Sequence, residues 1–457
     1  MRLIVLLVGS LWMSSQSIAH ERGRALPAEP ERMGVTFPLQ VSKNGRYLVD
    51  QDNRPFLVVG DTPWSLIADL KDDDIKTYLD DRKNRGFNSI VVNLLEHKFA
   101  TDPPRTRADI EPFIKAGDFS RPNPKYFDFA HQVIGWAYER GISVWLCPAY
   151  LGWGGGDEGF FQKIKAGGAD KLKVYGKYIG ERFKDLPNIV WLLGGDYAVP
   201  KEHAWTITDL ADAIRAGGAK QLMTIHGGQQ SAVEVVGDKD WIDVNTTYSY
   251  EKELFRVFRK DYERKTVRPF VLIESIYENE HNSRPEQIRR QAYWAMTCGA
   301  CGQFFGNNPI WHFDGPGLEK APRGWREELD GTGSRDMARL QKAFANRSWH
   351  KLVPDFKNDL VTKGVGDGTG TITAAATSDG KLAIVYVPST GQEPREFTLD
   401  MSRFAAPVTA NWFNPTDGRS DPAADKPLAN KATLAIRSPG NNGTKTNDWL
   451  LLLEVAP

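Results

Sequence analysis

Cysteine is scarce in this chain: only Cys147, Cys298 and Cys301 occur in 457 residues. So small and odd a set excludes a scaffold built from disulfides, and the fold must be held by packing. Cys298-Gly-Ala-Cys301 has the spacing of a redox or half-zinc motif, but no second such pair and no histidine at finger spacing accompanies it. The pair ends a helical pattern, where small residues pack under the next strand. It is read as small buried residues, with a disulfide as the alternative and a metal site last. Net charge is also missing, because 58 Lys and Arg balance 58 Asp and Glu. That balance gives no reason to expect nucleic acid or an anionic membrane as partner. Beyond the first residues there is no apolar run of the ~20 residues a membrane span needs. Nor is there an internal repeat or a low-complexity tract.

What is present begins with Met1-Arg2, the apolar run Leu3–Val8 and the small residues of Ser17-Ile-Ala19. This pattern predicts a secretory signal peptide cut after Ala19, and hence a secreted or periplasmic protein. Residues 20–38, rich in Glu, Arg and Pro without periodicity, read as a mobile leader. The length then suits a (β/α)8 barrel of about 250 to 300 residues followed by a smaller module.

The stretch that organises the chain is Ile189-Val-Trp-Leu-Leu-Gly-Gly-Asp196. Its apolar run has the character of a strand buried on both faces, the two glycines free the backbone to turn, and a carboxylate follows. Pro269-Phe-Val-Leu-Ile-Glu274 is a second strand of this kind. Six further short apolar strands alternate with helical patterns: 56–60, 89–95, 142–149, 222–226, 243–248 and 302–306. Eight such alternations predict a TIM barrel over 39–348, with a hairpin at 39–55 lidding its base. From about Trp349 the texture changes to short runs punctuated by Gly, Thr and Asp, which predicts a small antiparallel β-sandwich over 349–457.

In such a barrel the C-terminal ends of the strands line one shared crevice. Strands four and seven face one another across it, so Asp196 and Glu274 form an acid pair of the kind that cleaves glycosidic bonds. A general acid must hold its proton near neutral pH, which burial or a neighbouring negative charge achieves. Asp196, beside an ionised Glu274, is therefore assigned as acid/base and Glu274 as nucleophile. Asp61, Trp64, Asn93, Tyr150, Trp153, His226, Tyr248 and Trp311 all fall just after strands. They supply the polar groups and flat apolar platforms that a sugar pocket needs.

These residues also carry a resemblance. Phe37-Pro-Leu-Gln, Gly60-Asp-Thr-Pro-Trp64, Arg82-Lys-Asn-Arg-Gly-Phe-Asn88, Trp191-Leu-Leu-Gly-Gly-Asp196 and Ile273-Glu-Ser-Ile-Tyr-Glu278 resemble the apiosidase-like catalytic domain, the barrel of glycoside hydrolase family 140. Tyr386-Val-Pro388 and Trp412-Phe-Asn-Pro-Thr-Asp-Gly418 resemble the β module that often follows it, known as a collagen-binding domain. The resemblance implies release of terminal apiose from pectic side chains or plant glycosides by the acid pair Asp196 and Glu274, with no metal or organic cofactor. The expected partner is a carbohydrate substrate and the chain is expected to act as a monomer. The alternatives are a glycosidase for another furanose or small pyranose, and a non-catalytic carbohydrate- or matrix-binding protein.

Overall fold

The computed structural model describes residues 34–455. The expected signal peptide and most of the leader fall outside them. The last leader residues are not loose, contrary to the sequence reading. The Phe37 ring lies 6.4 Å from that of Phe56 and 6.2 Å from that of Tyr138. The Thr36 carbonyl also accepts from Gln51 N–H. The Phe37 ring thus anchors the chain before the hairpin begins.

The barrel strands are β1 (Val58–Asp61), β2 (Ser89–Asn93), β3 (Ser143–Cys147), β4 (Ile189–Gly194), β5 (Met223–His226), β6 (Asn245–Tyr248), β7 (Phe270–Glu274) and β8 (Gly302–Phe305). They form one parallel sheet in the order β5-β4-β3-β2-β1-β8-β7-β6. This is the expected TIM barrel, nearly closed. No backbone ladder joins β5 to β6, but the Thr224 hydroxyl donates to the Val244 carbonyl at 2.6 Å, and the Thr246 hydroxyl donates to the Ile225 carbonyl. Side-chain hydroxyls therefore close the seam. A short sheet of Gln40–Val41, Leu48–Val49 and Pro55–Phe56 precedes β1, with Leu48 and Phe56 in the same core as the strand interiors.

Pleating sorts the strand side chains into two sets. Val91, Trp145, Leu192, Leu272 and Phe304 fill the barrel interior, whereas Ile90, Leu146, Trp191, Leu193 and Ile225 pack toward the helices. The main helices are α1 (Asp72–Asn84), α2 (Pro124–Glu139), α3 (Ala169–Phe183), α4 (Trp205–Ala216), the single turn α5 (Ala232–Val235), α6 (Leu254–Tyr262), α7 (Pro285–Thr297) and α8 (Thr332–Phe344). Their starts follow local chemistry. Three aspartates open α1 at the positive end of its dipole. Asn123 caps α2 by accepting from Lys125 N–H, with Pro124 in the first turn. No described helix is long and apolar enough to cross a membrane.

The C-terminal region is antiparallel: a six-stranded sheet and a three-stranded sheet. Its central strands, Leu382–Val387 and Trp449–Val455, are continuously apolar because both faces of the larger sheet are covered. Ile384, Tyr386, Leu450 and Leu452 share a core with α7 and α8, whereas Ala383, Val385, Leu451 and Leu453 share one with the smaller sheet. Tyr293 of α7 stacks on Tyr386 at 5.1 Å. The fully buried Arg289 of the same helix pairs with Asp448 at 2.6 Å and Asp336 at 3.0 Å. The module is thereby fastened to the helix that follows the Glu274 strand. Cys147, Cys298 and Cys301 are free and buried, so the disulfide alternative does not hold. Burial pushes the Cys301 thiol up to about 12, leaving it inert at neutral pH.

Candidate active site

The C-terminal ends of the strands open into a cavity of about 510 Å³. Its wall includes both expected acids, Asp196 and Glu274, together with Trp64, Asn93, Tyr150, Trp153, Tyr248 and Trp311. The βα-loops complete it.

Asp196 gets there through an unusual turn. Gly194, Gly195 and Asp196 have φ of 86°, 122° and 51°, three left-handed residues in succession. Only glycine adopts the first two at little cost. Packing makes the same demand, because a Cβ on Gly194 would sit 2.5 Å from the His226 carbonyl oxygen and one on Gly195 2.3 Å from the Tyr150 ring. The turn is tied to β5: Gly195 N–H donates to the His226 carbonyl at 2.8 Å, and Asp196 N–H donates to His226 Nδ1 at 3.2 Å.

That second bond fixes the histidine. With Nδ1 accepting, the ring proton lies on Nε2, which donates to Glu274 Oε2 at 3.0 Å. Burial disfavours the imidazolium, while Glu274, by hydrogen bond and charge, and Asp196 push the His226 pKa up. The Asp196 amide opposes them, since a proton on Nδ1 would face a donor, so Nε2 is the nitrogen that carries the proton toward Glu274. His226 is fully buried and does not line the cavity. The expectation that it binds substrate is therefore corrected: it orients Glu274 and braces the turn that carries Asp196.

The two carboxyls sit in contrasting surroundings. Glu274 accepts from Tyr250 OH at 3.0 Å on Oε1, and from His226 and, at 3.4 Å, Tyr277 OH on Oε2. Donors to both oxygens fix the orientation of the carboxyl. Asp196 Oδ2 accepts from Tyr150 OH at 3.1 Å, whereas Oδ1 is buried without a hydrogen bond among the described residues. Burial first, and then the charge of Glu274, push the Asp196 pKa up to about 6, against the opposing pull of His226, Tyr248 and Tyr150. One acid is fixed by donors on both oxygens, and the other has its pKa pushed up to about 6.

Asp61 is a second correction. It ends β1 and pairs in register with both neighbouring strands, so the pleat that turns Gly60 toward the Phe304 ring turns Asp61 outward. There it accepts from Tyr78 OH at 2.7 Å and pairs with Arg82 at 3.2 Å, both on α1 and all three fully buried. The run 56–60 is apolar throughout because both faces of the strand are covered, so nothing in it marks which way Asp61 points.

The loops supply wall residues not singled out from sequence: Glu96, Phe99, Tyr250, Tyr277 and Glu280 among them. Glu96 is saturated, its Oε1 accepting from the amides of His97, Lys98 and Phe99 and its Oε2 from Ser65 and Asn93. It shapes the wall. Glu280 accepts from Trp311 Nε1–H at 2.7 Å, and burial pushes its carboxyl up to about 7. Trp153 stands on a glycine-rich turn at the mouth, 54% exposed. Among the described residues no group of three or more His, Cys, Asp or Glu is arranged to hold a metal ion.

A family model described as the apiosidase-like catalytic domain matches residues 42–351. The chain belongs to the apiosidase-like family. In class, this apiosidase-like protein is a glycoside hydrolase. A second model, described as a "putative collagen-binding domain of a collagenase", matches residues 353–454. No curated protein matches the chain. A solved structure titled glycoside hydrolase superposes with a TM-score of 0.78 at 24% identity, covering 92% of this chain and 97% of its own. A glycoside hydrolase family 5 structure from Bacteroides vulgatus also gives 0.78 at 24% identity, covering 92% of each chain. These likenesses extend across barrel and sandwich, and they speak for the shared fold of the apiosidase-like protein.

Proposed function

We propose that this protein is a secreted, exo-acting, retaining glycoside hydrolase that releases terminal apiose, or a similar sugar, from plant glycans or glycosides. The observation that carries the reading is the contrast between the two carboxyls of one cavity. Asp196, neutral below about pH 6, donates its proton to the glycosidic oxygen. Glu274 attacks the anomeric carbon, and the sugar–oxygen bond breaks as the glycosyl–enzyme ester forms. The Asp196 carboxylate then takes a proton from water, the resulting hydroxide displaces Glu274, and both acids return to their starting states. Retention is supported by proximity, since the Glu274 carboxyl and the Asp196 backbone amide both bond to the His226 ring and the charge of Glu274 acts on the Asp196 carboxyl. A cavity of about 510 Å³ suits a terminal sugar with part of its leaving group. Apiose rests on the family match, and secretion on the residues 1–19 pattern.

The test is a panel of aryl pentofuranosides and hexosides, apioside included, with products identified and the first-formed anomer read by NMR. Apiose released in the anomeric configuration of the substrate supports the proposal. Release of another sugar instead moves the assignment within the family, the opposite anomer makes the enzyme inverting, and no release from any member removes the reading.

A further inference from the structure

Resting on that reading, the cavity also says something about which sugar it admits. Its wall holds five carboxyl residues, Glu96, Glu158, Asp196, Glu274 and Glu280, and neither a lysine nor an arginine. Lys98 is turned to Asp157 and Glu158 at 3.6 Å, and His281, the one histidine of the wall among the described residues, is paired with Glu319 at 3.0 Å. An anionic sugar would bring its charge into a partly desolvated site with no counter-ion, which is costly.

Four of the five carboxyls are accounted for: Glu96 is saturated by amides, Glu158 sits by Lys98, and Asp196 and Glu274 do the chemistry. Glu280 is not. It is only 6% exposed, on the loop after β7. Oε1 is held by the Trp311 indole, whereas Oε2 makes no hydrogen bond with the described residues and is not sealed from solvent, on a residue that lines the cavity. A carboxyl fixed on one oxygen and free on the other is an acceptor awaiting a donor. Its place on the wall indicates which donor. Because the leaving oxygen must lie at Asp196 while the anomeric carbon lies over Glu274, the sugar ring extends toward the loops after β7, β8 and β1, which carry Glu280, Trp311 and Trp64.

We infer that this pocket takes an uncharged terminal sugar and that Glu280 is a specificity-determining residue, its free oxygen accepting a hydrogen bond from a ring hydroxyl of that sugar. Trp311 holds the carboxyl in place and presents its ring beside it. A hydrogen bond to this buried carboxyl, lost or replaced by a weaker one, corresponds to about a 10- to 100-fold change in kcat/KM.

The experiment compares the intact protein with Glu280→Gln and Glu280→Ala on the neutral aryl glycoside it cleaves best and on an aryl uronide. The glutamine variant keeps an oxygen for Trp311, so an unchanged melting temperature separates specificity from folding. The inference expects kcat/KM on the neutral substrate to fall about 10- to 100-fold, mainly through KM, with the uronide uncleaved by the wild type. In the turnover-deficient Glu274→Gln background, calorimetric titration with the released sugar should show the same loss when Glu280→Gln is added. Glu280→Gln within 3-fold of wild type by both measures, or a uronide cleaved as well as its neutral counterpart, overturns the inference. If instead Asp196→Asn and Glu274→Gln keep full activity, it is the paired-acid reading that has failed, and the inference falls with it.

Discussion

Asp61 and Asp196 look alike in the sequence, each an aspartate that follows glycine at the end of an apolar strand, and the fold sends them to opposite sides of the barrel wall. Asp61 is still part of its strand, laddered on both sides, and the pleat sets it against Tyr78 and Arg82 of α1. Asp196 has left its strand: two left-handed glycines and its own left-handed backbone swing it out of the pleat and into the cavity. The extra glycine, Gly195, separates the two cases. A single glycine lets a strand pass close to a neighbour, as Gly60 passes Phe304. Two in succession let the chain turn, at a cost in backbone strain of the kind found at functional sites.

The comparison is sharpened most by removing each carboxylate in turn. Asp196→Asn removes the proposed proton donor and should lower kcat about 10²- to 10⁴-fold while leaving the chemical denaturation midpoint close to wild type. Asp61→Asn should do the reverse. It strips Arg82 of a fully buried partner and should cost about 3 kcal/mol in urea unfolding, with kcat changed little in the protein that remains folded. Loss of activity in the folded Asp61→Asn protein would break the distinction drawn here. The smallest effect concerns pH. With Asp196 as the proposed acid and its pKa pushed up to about 6, kcat/KM should decline as pH rises through about 6 and the proton is lost. Tyr150 donates to Asp196 Oδ2 and so favours the ionised form. Tyr150→Phe should therefore move this alkaline limb upward, by a few tenths of a pH unit, and a downward move would contradict the assignment.

Legibility in the sequence follows the same division. Repeated buried strands separated by amphipathic helices were readable because a parallel strand covered on both faces must be apolar throughout. The acids and most of the aromatic wall were readable because a barrel concentrates polar residues at one set of strand ends. Glu280, Tyr250 and Tyr277 were not, since a loop of several polar residues gives no period from which to tell the one that faces inward. Tyr277 reaches Glu274, yet Glu278 beside it is buried against Asn307 and the Gly333 amide. The role of His226 was hidden for another reason. Its ring bonds to residues 30 and 48 positions away, a juxtaposition made only when β4, β5 and β7 share one barrel.

The amino-acid sequence by itself determined the barrel, the module that follows it and the two strands that end in acids, because hydrophobic period and glycine placement are local properties. Tertiary structure alone decided which carboxyl has its pKa pushed up to about 6, which is held by tyrosines and a histidine, and which is locked behind the wall by an arginine. Those outcomes depend on burial and on neighbours brought in from distant strands, and a carboxyl group carries no mark of them until the chain has closed around it.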